Sequence, residues 1–409
     1  MKKQICVLLV LCMVLAAVAC QPSNTTTGAT TPVSTATPPS AAPAQPAPAD
    51  PENPTMEQLL AMDWSKIEEY AKKEGTLTFW TWHDEDFWQK LGTAFTEKYG
   101  VKVELLVSEK APAIDKALAE KDGAVGSFDV MKVGGDQTLT TIMAGLYAGP
   151  ILEKMRAKDL LDPGLSVVQE GVFHEGYLVP LHLNQTGLLY NPRTVTNPPQ
   201  TFEELEKWIE ANPMKFGFCP PNSGGSGHSM VTAVIEHKTG GREQYFGDTE
   251  ADPEKLAKWD VVWEWFNKYK DMVTLTTSNN DGISRLNQGE IDIVVAWDDN
   301  AARTLKSGEL FKDAVLYIPE YGMSGGGDTA GIMKNAGHPA ASLLFIDYMT
   351  SEEGQQLFID VMLTYPARTD MTTENSLISR DDFVNRRNEL PAPYKAIWRK
   401  DFTEYVMMH

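Results

Sequence analysis
The sequence predicts an α/β protein of two lobes, each a mainly parallel sheet flanked by helices, and three observations carry that prediction. Short apolar runs of period two, such as Leu77–Thr81, give way to runs of helical period, such as Phe87, Leu91, Ala94, Phe95 and Tyr99. The alternation comes in two successive sets within 409 residues, more than one ordinary domain needs. The run from Ile291 to Trp297 is almost continuously apolar, as a parallel strand covered on both faces must be.

In chain order, the first element is a targeting segment. Lys2 and Lys3 supply its positive end, Ile5 to Val18 its apolar run, and Ala17-Val18-Ala19-Cys20 its small-residue cleavage site. The apolar run is too short to span a bilayer comfortably. Residues 21 to about 55 are mostly Thr, Ser, Pro and Ala, which cannot bury a core, and they read as a disordered tether. Asp63 then caps a helix with Trp64, Ile67 and Ala71 inward, and Gly75 ends it. Leu77–Thr81 is a strand, and Phe87 to Tyr99 a helix stopped by Gly100. Val101 to Val107 and Phe128 to Val133 are strands, with helices at Ala111 to Lys121 and Thr138 to Leu146. Tyr177 to Leu181 and Gly187 to Tyr190 read as two strands separated by His182 to Thr186. In the second set, Thr201 and Glu204 form a capping box opening a helix with Phe202, Leu205, Trp208 and Ile209 inward. Phe216 to Pro220 is a strand, and helices follow around Val231 to Ile235 and Leu256 to Phe266. After the Ile291–Trp297 strand, further helices start near His338 and Ser351.

Composition excludes several function classes. Lys+Arg number 36 against 56 Asp+Glu, a net charge of −20, so the chain is repelled by nucleic acid and has no basic recognition stripe. Of four cysteines, Cys6 and Cys12 leave with the targeting segment and Cys219 is a small buried residue. His83, His174, His182, His228, His237 and His338 show no metal-ligand spacing, and nothing pairs a nucleophile with a base. No cofactor, metal or catalytic residue is therefore expected.

Four clusters lie where strands end or helices begin, the edge of a parallel sheet at which ligands bind. Trp82 to Asp86 sets acids behind a tryptophan, and Asp84 and Asp86 equally suit the N-terminus of the following helix. Asn222 to Ser229 is a glycine-serine loop that presents amides to an anion, or else an ordinary turn with a serine cap. It lacks the pattern of a nucleophile elbow and the lysine of a P-loop. Trp297-Asp298-Asp299-Asn300 repeats the first pattern, with helix capping by either acid as the alternative. Gly325-Gly326-Gly327-Asp328 reads as a hinge or a disordered loop.

Several stretches resemble bacterial extracellular solute-binding proteins of ABC importers. Trp64 to Phe79 and Ala94 to Val103 are similar to their opening. Val179-Pro180 with Thr186 to Asn191, Asn287 to Trp297, and Ala340 to Gln355 follow in the family's order, covering nearly all of residues 63 to 371. The polyamine, iron and thiamine branch is the most similar. The small residues before Cys20 likewise resemble a lipobox, which implies cleavage before Cys20 and lipid attachment to it.

The resemblance implies a two-lobed type II periplasmic-binding-protein fold with two hinge crossovers, near His182–Thr186 and Gly325–Asp328. It divides the chain into a signal peptide over 1–19, a lipidated tether over 20–62, one lobe over 63–184 plus 328–371, and a second over 185–327 plus 372–409. It further implies a monomer anchored by lipid outside the cytoplasmic membrane, which hands a small solute to permease subunits. The implied ligand-binding set is Trp82, His83, Glu85, Gly135, Asp136, Ser226, Gly227, Trp297, Asp328 and Tyr365. In polyamine binders of the family, aromatic residues box the methylene chain and carboxylates hold the ammonium groups. Trp82, Trp297 and Asp328 match that pattern, while His83 and Glu85 depart from it and Tyr365 lacks the second tyrosine of ferric-ion binders. An organic cation or zwitterion is the expected solute. A ligand-binding sensor subunit and an exported α/β hydrolase or lyase are the alternatives.

Overall fold
A computed structural model describes residues 51–373 and 377–408. The targeting segment, Cys20 and nearly all of the tether lie outside the described residues.

The first set of elements begins with helix α1 (Trp64–Glu74), whose end at Gly75 has φ of 73°, a left-handed stop that glycine adopts without strain. Strand β1 (Thr76–Thr81) follows and buries both faces. Leu77 and Phe79 enter a core with Trp88, Leu91 and Phe95, and Trp80 enters another with Phe128, Met131 and Val133. Helix α2 (Glu85–Tyr99) ends at Gly100 in the same left-handed way. Strands β2 (Lys102–Val107) and β3 (Val130–Val133) pair in parallel with the two edges of β1. Helices α3 (Lys110–Glu120) and α4 (Gln137–Met143) follow those two strands.

Strand β4 (Val179–Tyr190) carries the chain into the second set. There the capping box at Thr201 and Glu204 opens α5 (Phe202–Ala211), and β5 (Phe216–Phe218) leads to α6 (Gly225–Thr239). Strands β6 (Val273–Leu275) and β7 (Ile293–Trp297) lie parallel to β5 on its two sides, and α7 (Asp298–Ser307) starts directly from β7. Strand β8 (Met323–Ile332) returns toward the first set, where α8 (Pro339–Met349) is buried throughout its length. Helix α9 (Ala392–Phe402) then packs Tyr394, Trp398 and Phe402 into the large core of the second set. The sheet order is β2-β1-β3-β8-β4-β7-β5-β6, with three parallel strands at either end and two long antiparallel strands between them. Among the described residues no helix is long and apolar enough to cross a membrane.

Two expectations are corrected. Val179–Tyr190 is one strand instead of two, and the glycine run Gly325–Gly327 lies inside β8 instead of forming a loop. The reason is their pairing: Gly325, Gly326, Gly327 and Asp328 lie opposite Gln185, Asn184, Leu183 and His182, so each segment satisfies the other's backbone groups. The glycines answer to close approach. A Cβ on Gly325 would lie 1.8 Å from Gln185 Oε1, and one on Gly327 2.0 Å from the His182 carbonyl oxygen.

Buried polar side chains tie the strands to the helices. Gln355 Nε2 donates to the Leu181 and Met349 carbonyls, both at 2.7 Å, and its Oε1 accepts from the Ala367 amide at 2.6 Å. Gln355→Ala removes the side-chain partner of these three backbone groups and of the Arg368 amide, which donates to the same Oε1 at 3.3 Å. It is expected to lower stability by about 2–3 kcal/mol, read as a reduced urea midpoint at unchanged m-value.

Candidate functional site
The carboxyl ends of β1, β3 and β7 and the crossing strands β4 and β8 converge on a cavity of about 440 Å³. Trp82, His83, Gly134 and Gly135 line it from the first set, Trp297, Asp299, Asn300 and Arg303 from the second, and His182, Asn184 and Asp328 from the crossing strands. A second chamber of about 480 Å³ shares Lys110, Gly135, Glu170, Trp297 and Glu389 with the first. It extends to Asp136, His228, Lys395 and Arg399.

Most charges in this cleft are already matched. Asp328 Oδ2 lies 2.8 Å from Lys132 Nζ and 3.1 Å from His182 Nε2. Burial pushes the Asp328 carboxyl up, but those two neighbours override it and hold it well below the usual carboxylate range. The Lys132 ammonium also stands 4.0 Å from the Trp82 ring centroid and 5.3 Å from that of Trp88. Lys110 Nζ lies 3.9 Å from the same Trp82 ring and donates to the Gly134 carbonyl at 3.2 Å. Arg303 pairs with Asp299 at 2.5 Å, and His83 with Asp84.

The second chamber is bridged from both lobes. Asp136, at the N-terminus of α4, meets Arg399 of α9 at 2.6 Å and Lys395 at 3.7 Å, and Lys395 also pairs with Glu170. Burial works against the Asp136 carboxylate, yet Lys395 and Arg399 hold its carboxyl below the usual range. Two charged groups differ from the rest. Lys110 forms no ion pair among the described residues, and burial lowers its basicity. Glu389 is 7% exposed, and its Oε2 has no hydrogen-bond partner among the described residues.

The predicted residues divide into two groups. Trp82, His83, Gly135, Trp297 and Asp328 come together in the first chamber, and Gly135, Asp136 and Trp297 line the second. Glu85 is exposed in the first turn of α2, outside both linings. Tyr365 is buried, with its hydroxyl donating to the Ile378 carbonyl at 2.8 Å. Ser226 and Gly227 sit within α6 instead of on a loop. The Ser226 amide donates to Asn279 Oδ1 at 3.1 Å, and its hydroxyl contacts Cys219 Sγ at 3.1 Å. A Cβ on Gly227 would lie 2.1 Å from the Cys219 carbonyl oxygen, so that glycine is required by packing. Asp84 occupies the N-cap of α2 with φ of 58°, but its carboxylate turns to His83 and makes no cap hydrogen bond.

Sequence reasoning missed Lys110, Lys132, Glu170, Arg303 and Glu389. Only Lys132 carries a signal, as the one charge inside the otherwise apolar strand Val130–Val133. The others come from scattered segments that only the fold gathers.

Two α/β lobes joined by two long strands, with a charged cleft between them, define a type II periplasmic-binding-protein architecture. The chain belongs to the bacterial extracellular solute-binding protein family, whose description matches residues 90–386. Members of this family transport solutes and are not enzymes. An ABC transporter protein from Clostridium perfringens ATCC 13124 superposes with a TM-score of 0.61 at 17% identity, covering 81% of this chain and 99% of that one. The spermidine/putrescine ABC transporter substrate-binding protein of Streptococcus pneumoniae also has a TM-score of 0.61, at 13% identity over 81% of this chain and 98% of that one. At these identities the likeness is one of fold. The maltotriose-binding protein of Pyrococcus abyssi is 28% identical over 154 residues, which are 36% of this chain and 32% of that protein. The chain thus matches about a third of that relative's length.

His228 makes the cleft's pH response testable. Its Nε2–H donates to the Pro221 carbonyl at 2.8 Å, and burial together with Lys395 and Arg399 pushes its pKa down to about 4. An unfolded histidine titrates near 6.5, so between those values only the unfolded chain is protonated and stability falls as pH falls. The loss from pH 7 to pH 4 is expected to be roughly 3 kcal/mol. Urea unfolding at several pH values should show a shallower acid limb for His228→Gln than for the wild type.

Proposed function
We propose that this protein is the solute-capturing component of an ABC importer and that its cleft takes a small zwitterion. One observation carries the choice of solute. Among the described residues, the charged groups of the cleft that make no ion pair are one ammonium, Lys110, and one carboxylate, Glu389, the latter lying in the field of Lys395. Both line the junction of the two chambers, beside Trp297. A ligand carboxylate at Lys110 and a ligand ammonium at Glu389 would satisfy both with charge-assisted hydrogen bonds. A pure organic cation is less well served, because Trp82 already faces two lysines and Asp328 already has two partners. An uncharged sugar is the second reading, favoured by the similarity to a maltotriose-binding protein.

Binding stabilises a closed arrangement of the lobes, which the permease distinguishes from the open one. The protein works as a monomer held at the outer face of the cytoplasmic membrane by lipid on Cys20. Cys20→Ser is expected to abolish incorporation of labelled palmitate and release the protein from the membrane fraction.

A thermal-shift panel of amino acids, betaines, diamines, thiamine and maltooligosaccharides tests the solute class, since a specific ligand raises the midpoint by mass action. Zwitterions are expected to raise it. Titration calorimetry with the best of them should show Lys110→Ala and Glu389→Gln each weakening binding by about tenfold or more. A response to diamines or sugars alone, or wild-type affinity in both variants, would discard the assignment.

A further inference from the structure
We propose that Lys132 is a built-in counter-cation that sets the specificity of the cleft: its ammonium occupies the aromatic and carboxylate pocket that a ligand ammonium would otherwise enter. The inference rests on the reading of the cleft as a solute site, and its test does not use the natural solute.

Lys132 stands on β3 between Met131 and Val133, both core residues, and its side chain is 0% exposed. A lysine so placed is expensive to desolvate and persists only where its charge is matched. Here the match has the features that bind a free organic ammonium. Asp328 supplies a carboxylate oxygen at 2.8 Å, and the Trp82 and Trp88 rings present π-systems at 4.0 and 5.3 Å. The pocket is built for close approach. Asp328 Oδ1 lies 2.0 Å from where a Cβ on Gly134 would stand, so that glycine lets the carboxylate reach the strand end. His182 holds the carboxylate from β4, with its ring stacked on Phe358 at 5.3 Å. The charged neighbours of the site are Lys110, which shares the Trp82 ring, and the His83–Asp84 pair beyond that ring. A second ammonium entering beside Trp82 would therefore meet two lysines and a carboxylate already engaged, and would be repelled.

Removing the ammonium should turn this self-occupied pocket into a receptor for a small alkylammonium ion. The probe is ethylammonium chloride at 100 mM, with sodium chloride at equal ionic strength as the control. In Lys132→Ala the thermal midpoint falls, and ethylammonium is expected to restore roughly 3–5 °C of it by binding in the vacated space. The wild type and the double variant Lys132→Ala/Asp328→Asn should shift no more in ethylammonium than in sodium chloride, because one lacks the space and the other the carboxylate. Should Lys132→Ala not fold unaided, refolding yield with and without ethylammonium reads the same property, and recovery by the amine supports the proposal. Equal responses in all three proteins, or no recovery, would overturn it and leave Lys132–Asp328 as an ion pair that only joins β3 to β8. Rescue here alongside a silent zwitterion panel would remove the solute assignment and leave the role of Lys132 standing.

Discussion
Where Gly325–Asp328 runs against His182–Gln185, the two strands that join the lobes are hydrogen-bonded to each other, and the rest of the molecule is arranged around that ladder. The strands must approach so closely that a side chain on Gly325 or Gly327 would collide with Gln185 or with the His182 carbonyl. The same contact places His182 and Asp328 side by side, and Asp328 pairs there with Lys132 of the neighbouring strand. One backbone constraint thus fixes the connection between the lobes and the charged floor of the cleft together.

The cleft is electrostatically unlike the protein that surrounds it. The whole chain carries a net charge of −20, yet in the cleft nearly every acid faces a base: Asp328 with Lys132, Asp299 with Arg303, Glu170 with Lys395, and Asp136 with Arg399. Such matching follows from the cost of desolvating an unpaired charge where water is scarce. It leaves Lys110 and Glu389 as the charged groups of the cleft that make no ion pair among the described residues. The Asp136–Arg399 contact adds a link between α4 and α9, so the second chamber depends on both lobes being in place.

The alternation of periods, the capping box at Thr201 and Glu204, and the glycine stops at Gly75 and Gly100 are local features, and they were legible because each is specified by residues a few positions apart. The aromatic strand ends at Trp82 and Trp297 were legible for the same reason. Misreadings arose where a distant partner decides. Gly325–Gly327 looks like a loop until β4 lies beside it, and Ser226–Gly227 looks like an anion cradle until Asn279 and Cys219 take up its polar groups.

By itself, then, the sequence determined the α/β class, two successive sets of elements, and the tryptophans that end β1 and β7. Only the tertiary structure decided what those tryptophans face. Lys132 is drawn onto Trp82 by Asp328, which lies 196 residues away along the chain, and Glu389 reaches the junction of the chambers from near the far end. Periodicity records which side of an element is apolar, whereas the pairing of buried charges depends on distances between elements that no local pattern encodes.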